Sequence, residues 1–434
     1  MNDNQTWHTA PLKYHTHINA ETLPETTPSD YELEYIDIGS VNSQGEITST
    51  QHMKFEYAPS RARRVVRNGD TIVSTVRTYL KAIAYIGEEK ENLICSTGFA
   101  VLTPHEGIKN KFLAYFSRSN YFIDEIVSRS VGVSYPAVNA SDIANIKVLI
   151  PPFNEQERIV YFLDRELAVI DNMVRKKERL IKLLQEKRQA IINEAVTKGL
   201  DPNVPMKDSG IEWLGTVPAN WNLTKIKFIT KIKGRIGFRG YTTEDIVNYR
   251  EGALTLGAKH INKKYQIDLS DPEFISWEKY YESPEIMLKI NDIVLVQRGS
   301  TVGKVAIINK DIGEATINPS LMVLKETTCV PQYLYYFLSS SYIRDNIKVV
   351  TSVTAIPMIS QEQINNFVIV IPSLEEQLEI ADYLKGQSKQ IETIIDKINI
   401  QIKKIQEYRQ SLISEAVTGK IDVAVMERRH NNDH

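Results

Sequence analysis

Arginine and lysine set beside glycine, with tyrosine, asparagine and glutamine among them, suit phosphate clamping and hydrogen bonding to the edges of bases. Such stretches occur in both halves of this chain. "APSRARRVVRNGD" holds Arg61, Arg63, Arg64 and Arg67 just before a turn, and "RTYLKA" follows with Arg77, Tyr79 and Lys81. In the second half, "KGRIGFRGY" carries Lys233, Arg235, Arg239 and Tyr241, and "KHINKKY" carries Lys259, His260, Lys263 and Lys264. "QRGSTVGK" adds Gln297, Arg298 and Lys304. For any one of these residues, solvated surface charge is the commoner explanation. Their clustering in corresponding parts of both halves favours DNA. All but Arg67, Lys233, Tyr241 and Lys264 are therefore taken as candidate DNA contacts.

Fragments that resemble catalytic motifs fail on spacing. "GSTVGKV" from Gly299 is one residue shorter than a phosphate-binding loop and has Val305 where a metal-binding Ser or Thr belongs, so a strand-to-strand turn explains its glycines better. "INPSL" from Ile317 lacks the second proline and the aromatic of an adenine methyltransferase loop, and no glycine-rich strand-to-helix turn accompanies it. His8, His15 and His17 are not at helical i, i+4 spacing with a carboxylate. No acid/base dyad or nucleophile elbow stands out. The expectation is a non-catalytic chain with no cofactor-binding and no metal-binding residues.

At 434 residues the chain exceeds what one core usually serves, and 42% apolar with 24% charged residues is ordinary for a soluble protein. A net charge of -2 neither requires nor forbids nucleic acid, because phosphate binding needs only a local basic surface. Two cysteines, Cys95 and Cys329, lie in no CxxC or Cys/His cluster, which fits a reducing cytoplasm. The first twenty or so residues lack a signal-peptide apolar core, and no run is long enough for a membrane span.

What must position the basic stretches is a unit written twice. "NEAVTKGLD" from Asn193 reappears as "SEAVTGKID" from Ser414, and sliding the sequence by 221 positions extends the match without gaps from Ile150–Asp201 to Ile371–Asp422. Roughly twenty of those fifty-two positions are identical, far above chance for an ungapped pairing. Upstream the echo is fainter: "RNGDTIVS" with "KINDIVLV", and "WHTAPLKY" from Trp7 with "WNLTKIKF" from Trp221. The halves differ most in the basic loops, as two readers of different sequences would.

Within each unit a strand-dominated part comes first, marked by short β-type runs such as "TIVSTV", "FAVLT", "DIVLVQ" and "LMVLK" bounded by Gly, Asn, Asp and Pro. "NKFLAYFSRSNYFIDEIVSR" and "PQYLYYFLSSSYIRDNIKVV" are its helical stretches. A long helix follows, with capping boxes expected at Asn154/Glu157 and Ser373/Glu376. Leu163, Leu167, Ile170, Val174, Lys177, Ile181, Leu184, Arg188, Ile191 and Ala195 alternate by four and three. So do Leu384, Ser388, Ile391, Ile395, Ile398, Ile402, Ile405, Arg409, Leu412 and Ala416. Such stripes suit coiled-coil packing, and the simplest way to bury them is against each other. Arg188 and Arg409, inside the stripes, either fix register or snorkel to solvent. The expected organisation is α+β: strand-rich domains at 1–149 and 221–370, helices at 150–200 and 371–422, an ordered connector at 201–220 and a tail at 423–434.

The combination of "IPPFNEQERI" and "IPSLEEQLEI" opening the helices, "KRQAIINEAVTKGLD" and "YRQSLISEAVTGKID" closing them, and "MKDSGIEWLGTVPANW" before the second domain resembles the specificity subunit of type I restriction–modification systems over essentially the full length. The resemblance implies two target recognition domains, each reading one half of a split double-stranded DNA site, and two antiparallel conserved helices between them. It also implies two methyltransferase subunits as partners, then restriction/translocase subunits, with S-adenosylmethionine, ATP and Mg expected in those partners. Two other readings stay open from the residues alone: a coiled-coil adaptor without DNA, and a nuclease or methyltransferase acting by itself.

Overall fold

A computed structural model describes residues 7–88, 90–132, 135–237, 240–351 and 357–426. The chain divides into two compact units, one of Met1–Glu178 with Asn399–His434 and the other of Arg179–Ile398. Both long helices therefore contribute a piece to each unit.

In the first unit a four-stranded antiparallel sheet runs in the order Thr16–Ile18, Phe99–Pro104, Thr71–Ser74, Ile83–Tyr85. Its two central strands are buried along most of their length because both faces are covered. Val73, Ala100 and Leu102 face the helices Asn110–Ser117 and Asn120–Arg129, meeting Phe112, Phe116 and Phe122. Ile72, Phe99 and Val101 face a second sheet with Ile36, Leu93 and Cys95. That second sheet has the order Gln51–Lys54, Glu32–Ile36, Leu93–Ser96, Ala62–Val65, with the two central strands parallel. His8–Pro11 pairs with Lys147–Ile150 and closes the domain just ahead of the first long helix.

The second unit repeats this plan with different letters. Its antiparallel sheet has the order Lys231–Gly234, Leu321–Lys325, Ile293–Val296, Val305–Ile307. Ile293, Leu295, Met322 and Leu324 join one core while Val294, Val296, Leu321 and Val323 join another, the alternation that period-two strands impose. The parallel pair recurs as Gly252–Leu256 with Ala315–Ile317. One edge differs. Among the described residues Ala62–Val65, which carries Arg63 and Arg64, has no counterpart, and Ile246–Val247 instead borders Phe274–Ser276 at the opposite edge. "GSTVGKV" is the turn of an antiparallel hairpin between Ile293–Val296 and Val305–Ile307. The connector is ordered, with Met206–Asp208 paired to Thr216–Pro218 and Trp213 edge-on to Tyr342 at 5.9 Å.

Each helical stretch of the domains is two helices rather than one. Ser119 breaks the first, its Oγ accepting from Phe122 N while donating to Phe116 O. The second divides into Pro331–Leu338 and Ser341–Thr351.

The long helices are Phe153–Lys198 and Leu374–Val417. From Asn172 to Lys187 the side chains that escape full exposure are Val174, Lys177, Ile181 and Leu184, the expected stripe. In the first unit Lys177 Nζ donates to Gln401 Oε1 (2.7 Å) and Arg409 Nε to Asp171 Oδ1 (3.0 Å), so the helix segments run antiparallel. In the second, Arg188 Nη1 donates to Glu392 Oε1 at 3.2 Å. Neither stripe arginine snorkels. Ser373 caps its helix through Glu376 N (3.2 Å), but Asn154 lies inside a helix whose first turn is closed on Pro152 O, and Glu157 pairs with Lys109 instead.

Candidate nucleic-acid interface

The positioning machinery sits in the doubled motifs. In "NEQ" and "EEQ" the glutamate and glutamine fasten a helix start to its domain. Trp7 Nε1 donates to Glu155 Oε2 (3.0 Å), and Trp221 Nε1 donates to Glu376 Oε2 (2.9 Å). Gln156 is fully buried: its Oε1 accepts from Lys109 N (2.7 Å) and its Nε2 donates to Gly107 O and Pro151 O (3.0 Å each). Gln377 repeats the set with Val330 N (2.9 Å) and Pro372 O (3.0 Å). The helix ends dock on the break between the domain helices. Gln189 donates to Ser339 O (3.1 Å) and Asn193 accepts from Ser341 N (2.8 Å), while in the other unit Gln410 donates to Arg118 O (2.6 Å) and Ser414 accepts from Asn120 N (2.8 Å). These polar anchors were invisible as such in the sequence, although the repeat marked the letters.

Of the candidate contacts in the first unit, Arg61 is exposed, whereas Arg63 stacks over Phe55 at 4.4 Å and Arg64 Nη1 donates to Thr22 Oγ1 at 3.0 Å. Arg77, Tyr79 and Lys81 come together on one projecting loop. Arg77 N donates to Pro136 O (2.8 Å), Thr78 Oγ1 lies 2.8 Å from Ser130 Oγ, and Ser74 N donates to Ala82 O (2.9 Å). Tyr79, Leu80, Val131 and Tyr135 are all exposed around it. This gives cations, hydroxyls and apolar surface on a loop tied to a rigid sheet.

In the second unit several candidates turn inward. Arg235 is buried, its Nε donating to Ile317 O (3.1 Å) and Nη2 to Thr316 Oγ1 (3.3 Å), with the guanidinium 5.3 Å over Tyr241. Burial holds its pKa below the usual value. His260 is buried too, Nδ1 accepting from Gly257 N (2.8 Å) with Nε2 3.1 Å from Asp271 O. Gln297 Nε2 donates to Pro319 O (2.9 Å) and Leu321 O (3.1 Å). In each case a backbone carbonyl of the same domain lies within hydrogen-bond reach of the side chain, so these three are engaged within the domain rather than standing free on a loop. Lys259 is exposed but bound to Asp271 (3.0 Å), whose hydrogen bond raises the lysine pKa, and lies 3.8 Å from Glu273. Arg298 and Lys263 are exposed, and Lys304 is half-buried. Arg298 stands on the loop that links Ile293–Val296 to Val305–Ile307, where Gly299 N donates to Pro357 O (3.0 Å). Arg239 lies outside the described residues.

Each unit thus keeps one sheet-anchored loop with outward basic side chains, suited to phosphate and base-edge contacts. Among the described residues no helix is long and apolar enough to cross a membrane.

Known proteins agree with this architecture. The chain is 26% identical over 301 residues, 68% of its length and 67% of the relative's, to the type I restriction enzyme MjaVIII specificity subunit of Methanocaldococcus jannaschii. It is 23% identical over 341 residues, covering 75% of this chain and 69% of that one, to the EcoKI specificity subunit of Escherichia coli. The fold matches a chain solved in work on complex assembly and conformational transition of the type I R-M system, with a TM-score of 0.69 and 22% identity, covering 96% of this chain and 99% of the other. The sequence model described as type I restriction modification DNA specificity domain matches twice, at residues 18–182 and 237–404, so the chain belongs to the type I restriction–modification DNA specificity family.

Proposed function

We propose that this chain is the DNA-recognition subunit of a type I restriction–modification complex and that each domain reads one half of a bipartite double-stranded site. The observation that carries the reading is the pair of equivalent loops, 75–82 and 297–304, anchored by the same hydrogen bonds in both units but filled with different side chains. Two rigid mounts with unlike tips suit two different half-sites, read in the major groove where the donor and acceptor pattern distinguishes every base pair. The paired helices hold two methyltransferase subunits, and restriction/translocase subunits join them. S-adenosylmethionine, ATP and Mg serve those partners. In this chain the fragment most like a nucleotide loop is a β-hairpin turn rather than the mouth of a helix. The buried free thiols Cys95 and Cys329 suit the cytoplasm. The residue count of the paired helices sets the spacer between half-sites. A partner methyltransferase that extrudes its target base gains from a duplex held at two points.

The test is methylome sequencing of a host carrying the methyltransferase partner, with and without this chain. A bipartite methylated motif that appears only with the chain supports the proposal. Identical methylation without the chain, or one contiguous motif, overturns it.

A further inference from the structure

The two loops share a backbone plan that their sequences hide. In the second unit Gly299 N donates to Pro357 O (3.0 Å), Val302 N to Gly299 O (3.1 Å) and Val296 N to Lys304 O (2.8 Å). In the first, Arg77 N donates to Pro136 O (2.8 Å), Leu80 N to Arg77 O (2.8 Å) and Ser74 N to Ala82 O (2.9 Å). Both chains pass through positive φ at two places four residues apart. In the second unit these are glycines, Gly299 (φ 100) and Gly303 (φ 85); in the first they are Arg77 (φ 50) and Lys81 (φ 55). Glycine enters that region without steric cost, whereas a side chain there brings Cβ against a carbonyl oxygen. The first unit therefore accepts strain twice in a turn that glycine would fill freely.

The contacts set against that strain are the Arg77 N–Pro136 O hydrogen bond and one stacked ring. Arg77 and Lys81 are exposed and have no ion pair among the described residues. The Arg77 guanidinium lies 4.8 Å over the ring of Tyr135, itself 66% exposed. That contact still leaves Arg77 exposed to solvent. Two non-glycine residues held in the left-handed region four positions apart on one exposed loop invite a functional reading.

We infer that Arg77 is the specificity-determining cation of the first domain and Lys81 its phosphate anchor: Arg77 donates its paired N–H groups to O6 and N7 of a guanine, and Lys81 clamps a neighbouring phosphate. The assignment follows from side-chain geometry. A planar fork fits the two acceptors of guanine, while an ammonium acts as a point charge. The inference rests on the proposed DNA reading and adds to it which residues read, and what base.

The experiment uses the full chain with its methyltransferase partner and a duplex library with a randomised core. Wild type selects a motif of two halves. R77G/K81G and R77A/K81A each lose one guanine preference in one half and keep the other half unchanged, with affinity for the wild-type site down by about tenfold or more. The glycine pair also melts at the wild-type temperature or above it, because the equivalent turn is built on Gly299 and Gly303. K81A alone weakens all sites evenly and lowers the salt slope by about one. Selection of the wild-type motif at wild-type affinity by either double variant overturns the inference, as does a lower melting temperature for the glycine pair. If wild type enriches no motif, the DNA reading itself falls, and this assignment with it.

Discussion

Arg409 Nε lies 3.0 Å from Asp171 Oδ1, and at the repeat-equivalent positions, one repeat length before the arginine and one after the carboxylate, Arg188 Nη1 lies 3.2 Å from Glu392 Oε1. The duplicated sequence has thus written the same interhelical ion pair twice, once in each unit. The Asp171 carboxylate also opposes Arg118, whose pKa burial, and then the charge of Arg409, push down to about 10. We expect Asp171→Ala and Glu392→Ala each to destabilise the chain by about 1–2 kcal/mol, since one cation is left half-buried without its partner. Replacing both members of a pair by leucine restores most of the loss. Denaturant unfolding of the single and double variants checks this, and additive losses in the double variants would contradict it.

Gln156→Leu strands the half-buried Lys109 N–H along with the carbonyls of Gly107 and Pro151. A loss of about 2–4 kcal/mol follows from leaving such groups unpaired. Gln377→Leu behaves alike for the second unit. Urea midpoints that stay at the wild-type value would show that water replaces the amide without cost.

Arg235 and Arg298 separate fold from recognition within one domain. Arg235→Ala removes the hydrogen bonds to Ile317 O and Thr316 and lowers the melting temperature by several degrees. Arg298→Ala leaves melting unchanged and weakens DNA binding, by about tenfold if it meets a base edge. Calorimetry beside a binding titration reads both. A destabilised Arg298→Ala or a DNA-specific Arg235→Ala would reverse the assignment.

The sequence announced the helix stripe because a four-three alternation leaves one solution, and the stripe residues from Leu163 to Ala195 are withdrawn from solvent as that period demands. It announced the strands because runs such as "DIVLV" are covered on both faces. It could not separate Arg235, which ends under a strand, from Arg298, which ends outside it, because both stand beside glycine in a polar stretch. Burial of a polar side chain is decided by whichever carbonyl lies within reach, and that is a tertiary fact. The roles of Glu155 and Gln156 were hidden for the same reason. The left-handed turn at Arg77 and Lys81 was hidden because only glycine advertises such a backbone in letters.

His15 is packed between His8 (5.9 Å) and His105 (6.3 Å), its Nδ1 buried without a partner among the described residues. Burial, followed by repulsion from His8 and His105, lowers its pKa from the usual 6.5. The folded state then binds fewer protons than the unfolded chain in the window below 6.5. Stability is fully present above that value and is lost as pH falls toward the depressed folded value. The melting temperature should fall on acidification through this window, and His15→Gln should flatten the fall. An equal fall in the variant would assign it to other groups.

The central claim is that each unit reads its own half of the DNA site. The direct measurement is a methylome read after residues 1–149 are exchanged for the corresponding domain of a relative, with the methyltransferase partner unchanged. The account predicts that one half-site changes while the other half and the spacer stay as they were. A change in both halves, or in neither, would contradict it.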